Sequence, residues 1–199
     1  MNYGISYIAG IGAYAGGLEA LEKFFGNIAV NSEISFVVVQ HLPRDFKTQL
    51  DKIISKHTTL PVKILRENQT AQPNNIYVLP GQLRVIIKNG ILILRERLPD
   101  EIINYSVNEF LISLAQDRKE KAIGIILAGT GFDGSDGVKA VSDNGGIVLI
   151  QDPDSTTFKT MPLAAINSDH PDKVLSPAQL GARLMETIHN RNPSKEVKS

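Results

Sequence analysis

Gly10-Ile11-Gly12-Ala13-Tyr14-Ala15-Gly16-Gly17 stands between an apolar run, Ile5–Ile11, and a helix-like segment, Leu18–Phe25. A strand that enters a helix through a glycine-rich turn is the opening unit of an α/β domain. Such a turn either cradles an anion or presents one reactive side chain above a sheet. The residue presented here is Tyr14, where an acyl-transfer enzyme would need serine.

The same alternation continues outward from this unit. Ile34–Gln40 is a β-branched run without period-two patterning, as expected of a strand buried on both faces. Phe46–His57 reads as a helix with Phe46, Leu50, Ile53 and Ile54 on one face. Val62–Leu65 and Ile76–Leu79 read as short strands around the polar loop 68–75. Leu83–Lys88 and Ile91–Glu96 flank Asn89-Gly90, a strong hairpin signal because both residues tolerate positive φ. Ser106-Val107-Asn108-Glu109 has the form of a capping box opening a helix to about Gln116. Ala122–Ala128 and Ile147–Gln151 are further buried strands, separated by a helix that stops at Gly145-Gly146. Ser176-Pro177-Ala178-Gln179 opens the last helix, which is expected to end near His189. The pattern predicts one α/β domain over residues 1–189, with a mainly parallel sheet, one antiparallel hairpin and a polar tail over 190–199.

Bulk composition narrows the function classes. The chain has 199 residues, 42% hydrophobic and 21% charged, and its 21 acidic residues balance 21 basic ones. No global field therefore attracts nucleic acid or an anionic membrane. Cysteine is absent, which excludes disulfides and thiolate zinc sites. Neither a signal core nor an apolar run of membrane-spanning length is visible, so a cytoplasmic location without membrane insertion is expected. Asp152, Asp154, Asp169 and Asp172 are scattered, and His57, His170 and His189 stand in surface-like contexts. No metal or cofactor is expected from them.

Three segments follow apolar strands with residues capable of chemistry: Ala13-Tyr14-Ala15, Gln40-His41-Leu42-Pro43 and Gly129-Thr130-Gly131-Phe132-Asp133-Gly134. Ligands of open α/β sheets bind beyond the carboxyl ends of the strands, so these loops are candidates to converge. His41 has the chemistry of a general base and Asp133 that of the group orienting it. Taken singly, His41 reads as a loop histidine and Asp133 as a helix N-terminal cap. A rival reading takes Gly129–Gly134 as G-x-G-x-x-G, with Asp152 about 20 residues on, as in dinucleotide-binding folds. Asp133 and Asp136 count against it, because they bring carboxylates where a pyrophosphate needs bare N–H donors.

Taken in order, Ile11–Leu21, Val39-Gln40-His41-Leu42-Pro43, Leu79-Pro80-Gly81, Gly129–Gly134 and Gln151-Asp152-Pro153 resemble the catalytic domain of the chemotaxis protein-glutamate methylesterase (CheB) family. The likeness runs from about Ile8 to Leu184, and its first motif is most similar to that of methylesterase–methyltransferase fusions. The resemblance implies a three-layer fold and hydrolysis of glutamate methyl esters on chemoreceptor signalling helices, with glutamine deamidation in some members. It also implies a Ser-His-Asp triad: the serine falls on Tyr14, the histidine on His41 and the aspartate on Asp133. Thr130 falls where a backbone N–H is associated with the oxyanion hole. A receiver domain usually precedes this domain in the family; Met1 stands a few residues before the first strand, so none is expected in this chain.

Two functional expectations follow. One is a methylesterase-type domain, acting on methylated receptor helices or a related signalling protein, whose inherited chemistry is compromised by Tyr14. The other is a catalytically silent module that binds the same partners. A dinucleotide-binding protein is the more distant third.

Overall fold

The structure, a computed structural model, describes residues 6–30, 32–40, 48–81, 83–97 and 104–191. Seven parallel strands form the main sheet: β1 (Tyr7–Ala13), β2 (Ile34–Gln40), β3 (Val62–Ile64), β5 (Asn75–Val78), β8 (Ala122–Ile126), β9 (Ile147–Gln151) and β10 (Lys173–Leu175). Their order is β10-β9-β8-β1-β2-β5-β3. β1 is central, and the chain first builds outward on its β2 side, then returns to build on its β8 side. The topological switch therefore lies between β1 and β8.

The sheet carries cores on both faces, which is why its strands lack alternation. Phe36 and Val38 of β2 face helices α1 (Gly17–Phe25), α2 (Leu50–Ile54) and α6 (Pro177–Arg191), through Phe24, Phe25, Ile54, Leu180 and Leu184. Val37 and Val39 face the opposite layer, built by α3 (Ser106–Arg118), α4 (Ser135–Asp143) and α5 (Thr160–Ser168) with Phe110, Leu111, Val138 and Met161. The expected hairpin forms as β6 (Leu83–Lys88) and β7 (Ile91–Glu96), and β4 (Gln69–Thr70) joins it to make a separate three-stranded antiparallel sheet. Asn89 and Gly90 both take positive φ, at 52° and 77°, as an Asn-Gly hairpin turn requires.

Four local expectations change. First, β1 extends past the expected end at Ile11, so Gly12 and Ala13 belong to the strand, not to the turn; Gly10 and Gly12 pair with Val37 and Val39 of β2 and with Gly124 and Ile126 of β8. Their role is close approach: a Cβ on Gly10 would fall 2.6 Å from Leu111 Cδ2, and one on Gly12 2.5 Å from Val107 Cγ1. Helix α3 thus lies directly on the backbone of β1. Gly12→Ala is expected to cost about 1–3 kcal/mol by overpacking, read as a lowered urea midpoint at unchanged slope.

Second, α2 begins at Leu50 rather than Phe46, with the Thr48 hydroxyl accepting from the Leu50 amide; residue 46 lies outside the described residues. Third, the capping box is not used. The Ser106 amide donates to the Asn104 carboxamide, and Glu109 instead pairs with Arg84 at 2.9 Å and Arg95 at 3.3 Å, tying α3 to the hairpin. Fourth, α5 and β10 were not foreseen. Other ends shift by a few residues: α2 stops at Ile54 rather than His57, α3 runs to Arg118, β4 forms inside the expected loop 68–75, and α6, capped by Ser176 with Gln179, runs two residues past His189 to Arg191. The α4 stop is as expected, with Gly145 and Gly146 donating to Ser142 and Val141.

Candidate active site

Tyr14 follows the last residue of β1. Its amide donates to the Ala128 carbonyl at 3.0 Å, and its own carbonyl accepts from Gly17 at 2.9 Å, closing a tight turn into α1. Gly16, at φ 73°, is the N-cap. The Tyr14 side chain is partly exposed, at 40%. β2 ends in register with β1, Gln40 opposite Ala13; His41 itself lies outside the described residues.

The loop after β8 is pinned from several sides. Ala128 donates to the buried Gln151 carboxamide at 2.8 Å, and Gln151 in turn donates to Ser155 at 3.0 Å. The Gly129 amide goes to the Phe158 carbonyl and the Gly131 amide to the Thr160 hydroxyl. Between them, the exposed Thr130 N–H donates to no described residue. Gln151→Leu would leave the Ala128 amide buried without an acceptor, and a loss of about 1–3 kcal/mol is expected in equilibrium unfolding.

Asp133 is buried, at 6% exposure. It does cap a helix, but not the one its own loop opens. Oδ2 accepts from the Val107 amide and Oδ1 from the Asn108 amide, each at 2.8 Å, so it caps α3. A carboxylate accepts about four hydrogen bonds, so capping α3 leaves capacity for a further donor. Asn108 returns the bond: its Oδ1 accepts from Gly134 and Gly137, both at 2.9 Å, at the start of α4. The amides that a dinucleotide pyrophosphate would need at α4 are thereby already taken by protein.

Of the residues singled out from sequence, the structure brings Tyr14, Thr130 and Asp133 to the β1/β8 switch point at the carboxyl end of the sheet. Asn108 and Gln151 were missed as parts of this assembly. The sequence signals for Gln151 are its place in the motif Gln151-Asp152-Pro153 and a polar residue closing the apolar run Ile147–Ile150; neither points to the Ala128 amide it accepts from. A cleft of about 590 Å³ adjoins the turn, lined by Gly16, Lys23, Gln151, Phe158 and Pro177 among others. Among the described residues, no group of three or more His, Asp or Glu side chains could hold a metal ion.

A residue presented on a strand–turn–helix elbow, beside a glycine loop and a buried carboxylate at the β1/β8 switch point, is the ligand-site arrangement of an open α/β domain. The CheB methylesterase family model matches residues 9–184, and the chain belongs to that family. It is 29% identical to the crystal structure of the Thermotoga maritima CheB methylesterase catalytic domain, with a TM-score of 0.83 over 92% of this chain and 100% of that one. It is 30% identical to protein-glutamate methylesterase/protein-glutamine glutaminase 1 of Geobacter sulfurreducens, over 89% of this chain and 51% of the relative. The corresponding values for enzyme 3 of Pseudomonas savastanoi pv. phaseolicola are 29%, 91% and 54%. The chain thus spans about half the length of the curated relatives it matches.

Proposed function

We propose that this chain is a receptor-directed methylesterase domain in which Tyr14 holds the nucleophile position, so that recognition of methylated signalling helices outlasts efficient hydrolysis. The observation that carries this reading is the Tyr14 amide bonded to the Ala128 carbonyl, which joins the elbow to the loop bearing Thr130 and Asp133. In the reaction, His41 would take the nucleophile's proton as its oxygen attacks the ester carbonyl, with the Thr130 amide donating to the developing oxyanion. Methanol would leave with that proton, and water would then clear the acyl-enzyme. Asp133 would orient and balance the imidazolium.

A phenol oxygen stands about 4 Å further from the backbone than a serine oxygen, on standard bond lengths. The same elbow backbone therefore presents the wrong reach. The partners are methylated chemoreceptor helices or a related signalling protein, met in the cytoplasm; among the described residues no helix is long and apolar enough to cross a membrane. The test is a methylated receptor-helix fragment: binding by the chain as it stands, with ester hydrolysis appearing on Tyr14→Ser. The absence of both binding and hydrolysis in both forms would refute the reading.

A further inference from the structure

Asp133 and Asn108 stand 25 residues apart in sequence, yet each satisfies the helix the other belongs to or precedes. The loop carboxylate takes the Val107 and Asn108 amides at the start of α3, and the α3 carboxamide takes the Gly134 and Gly137 amides at the start of α4. All four bonds are 2.8–2.9 Å long. Both side chains are 6% exposed, so water cannot substitute for either partner without the loop moving.

We propose that Asn108 is a positioning residue for the reaction, fixing the carboxylate of Asp133 through this reciprocal cap. The inference rests on the methylesterase reading above. Two helix N-termini are locked to each other here, and Asp133 is the residue immediately before one of the locked amides, Gly134. Backbone movement at Gly134 therefore carries the carboxylate with it. Gly134 sits at φ 101° and Gly131 at φ 97°, so the segment has glycine freedom on both sides of Asp133 and needs an external clamp. A neutral amide suits the position: it accepts two N–H bonds without adding a third carboxylate beside Asp133 and Asp136, and its Nδ2 lies 3.5 Å from Asp136 Oδ2. The α4 packing face reinforces the choice, because Gly137 lies too close to α3 for a side chain; a Cβ there would fall 2.6 Å from Leu111 Cβ.

The experiment combines kinetics in the Tyr14→Ser background with amide NMR on the unaltered chain and its Asn108 variants. Asn108→Leu, of similar size but without an acceptor, is expected to lower kcat about 10- to 100-fold with KM changed less than about two-fold, since misplacement of roughly 1 Å costs that much. Asn108→Asp keeps the acceptor for Gly134 and Gly137 but sets a third carboxylate beside Asp133 and Asp136, so it is expected to recover only part of the loss. Should Asn108→Leu fail to fold, Asn108→Gln, which displaces the oxygen by one methylene, is expected to show the same kcat-selective loss. In the NMR arm, the Gly134 and Gly137 amides should exchange slowly, and they should lose that protection in Asn108→Leu or Asn108→Gln. Unchanged kcat in the Leu or Gln variant, or unchanged exchange at Gly134 and Gly137, overturns the proposal. If Tyr14→Ser itself hydrolyses nothing, the methylesterase reading fails, and amide exchange at Gly134 and Gly137 alone decides whether Asn108 clamps the loop that carries Asp133.

Discussion

Tyr14→Ser is expected to raise hydrolysis of a glutamate methyl ester at least about 100-fold over the chain as it stands, because a misplacement of even about 1 Å has that effect and the phenol overshoots by more. The elbow is held by backbone bonds, Tyr14 N–H to Ala128 and Gly17 N–H to Tyr14, which do not depend on the side chain. Serine should therefore inherit the turn unchanged. Removing the ring also frees the volume in which the ester must lie. Methanol release from a methylated receptor fragment is the measurement, with His41→Ala and Asp133→Asn in the serine background as controls. Loss of a nucleophile still leaves roughly 10³–10⁴-fold catalysis over water from binding and the oxyanion hole, so the baseline is the unaltered chain rather than buffer. Robust turnover by the unaltered chain that vanishes in Tyr14→Phe would establish a phenolic nucleophile and overturn the geometric argument.

The largest stability effect is expected at Phe36. Its ring sits edge-on to Phe25 at 5.5 Å and to Phe24 at 6.3 Å, and all three are fully buried between the sheet and α1. Phe36→Ala removes a side chain from both the β2 face and this aromatic cluster. A loss of about 3–5 kcal/mol is expected. At roughly 2–4 °C per kcal/mol for a domain of this size, the midpoint should fall by about 6–20 °C. Val30→Ala is the companion measurement: Val30 is 57% exposed, and its loss should stay within about 0.5 kcal/mol. A Phe36→Ala effect as small as that of Val30→Ala would mean that this face of the sheet is not packed as described.

The elements that were readable from sequence are those whose signals are local. The run Ile34–Val39, apolar except for the buried Ser35, is buried on both faces, Asn89-Gly90 turns the hairpin, and Ser176 with Gln179 caps α6. What misled were signals that tertiary contacts redirected. Gly10 and Gly12 look like turn residues, but it is the approach of α3 that requires them in β1. Glu109 looks like a cap residue, but Arg84 and Arg95 hold it, while Asn104 takes the Ser106 amide, the Tyr105 carbonyl takes the Glu109 amide, and Asp133 caps the Val107 and Asn108 amides. β10 has three residues and α5 carries Pro162 in its first turn, so neither offers a periodic run long enough to read. The same contrast holds at the site. Tyr14 and Asp133 are marked by glycine motifs at strand ends, whereas Asn108 and Gln151 act on amides more than twenty residues away in sequence, Gly134 and Ala128. His41 follows β2 but lies outside the described residues.

The central position of β1 also bears on how the chain matures as it leaves the ribosome. Its β2 side pairs Tyr7 with Ile34 almost at once, but its other side must wait for Ala122, the partner of Ile8. Through most of synthesis β1 therefore offers a row of unpaired backbone groups, an invitation to association with other nascent chains. Helix α3, made just before β8, lies over the bare glycines of β1 and so delivers β8 beside the waiting edge. A chain stopped short of Ala122 keeps that edge open, whereas one carried through Gly134 closes the edge and brings the acidic loop to the elbow in the same step.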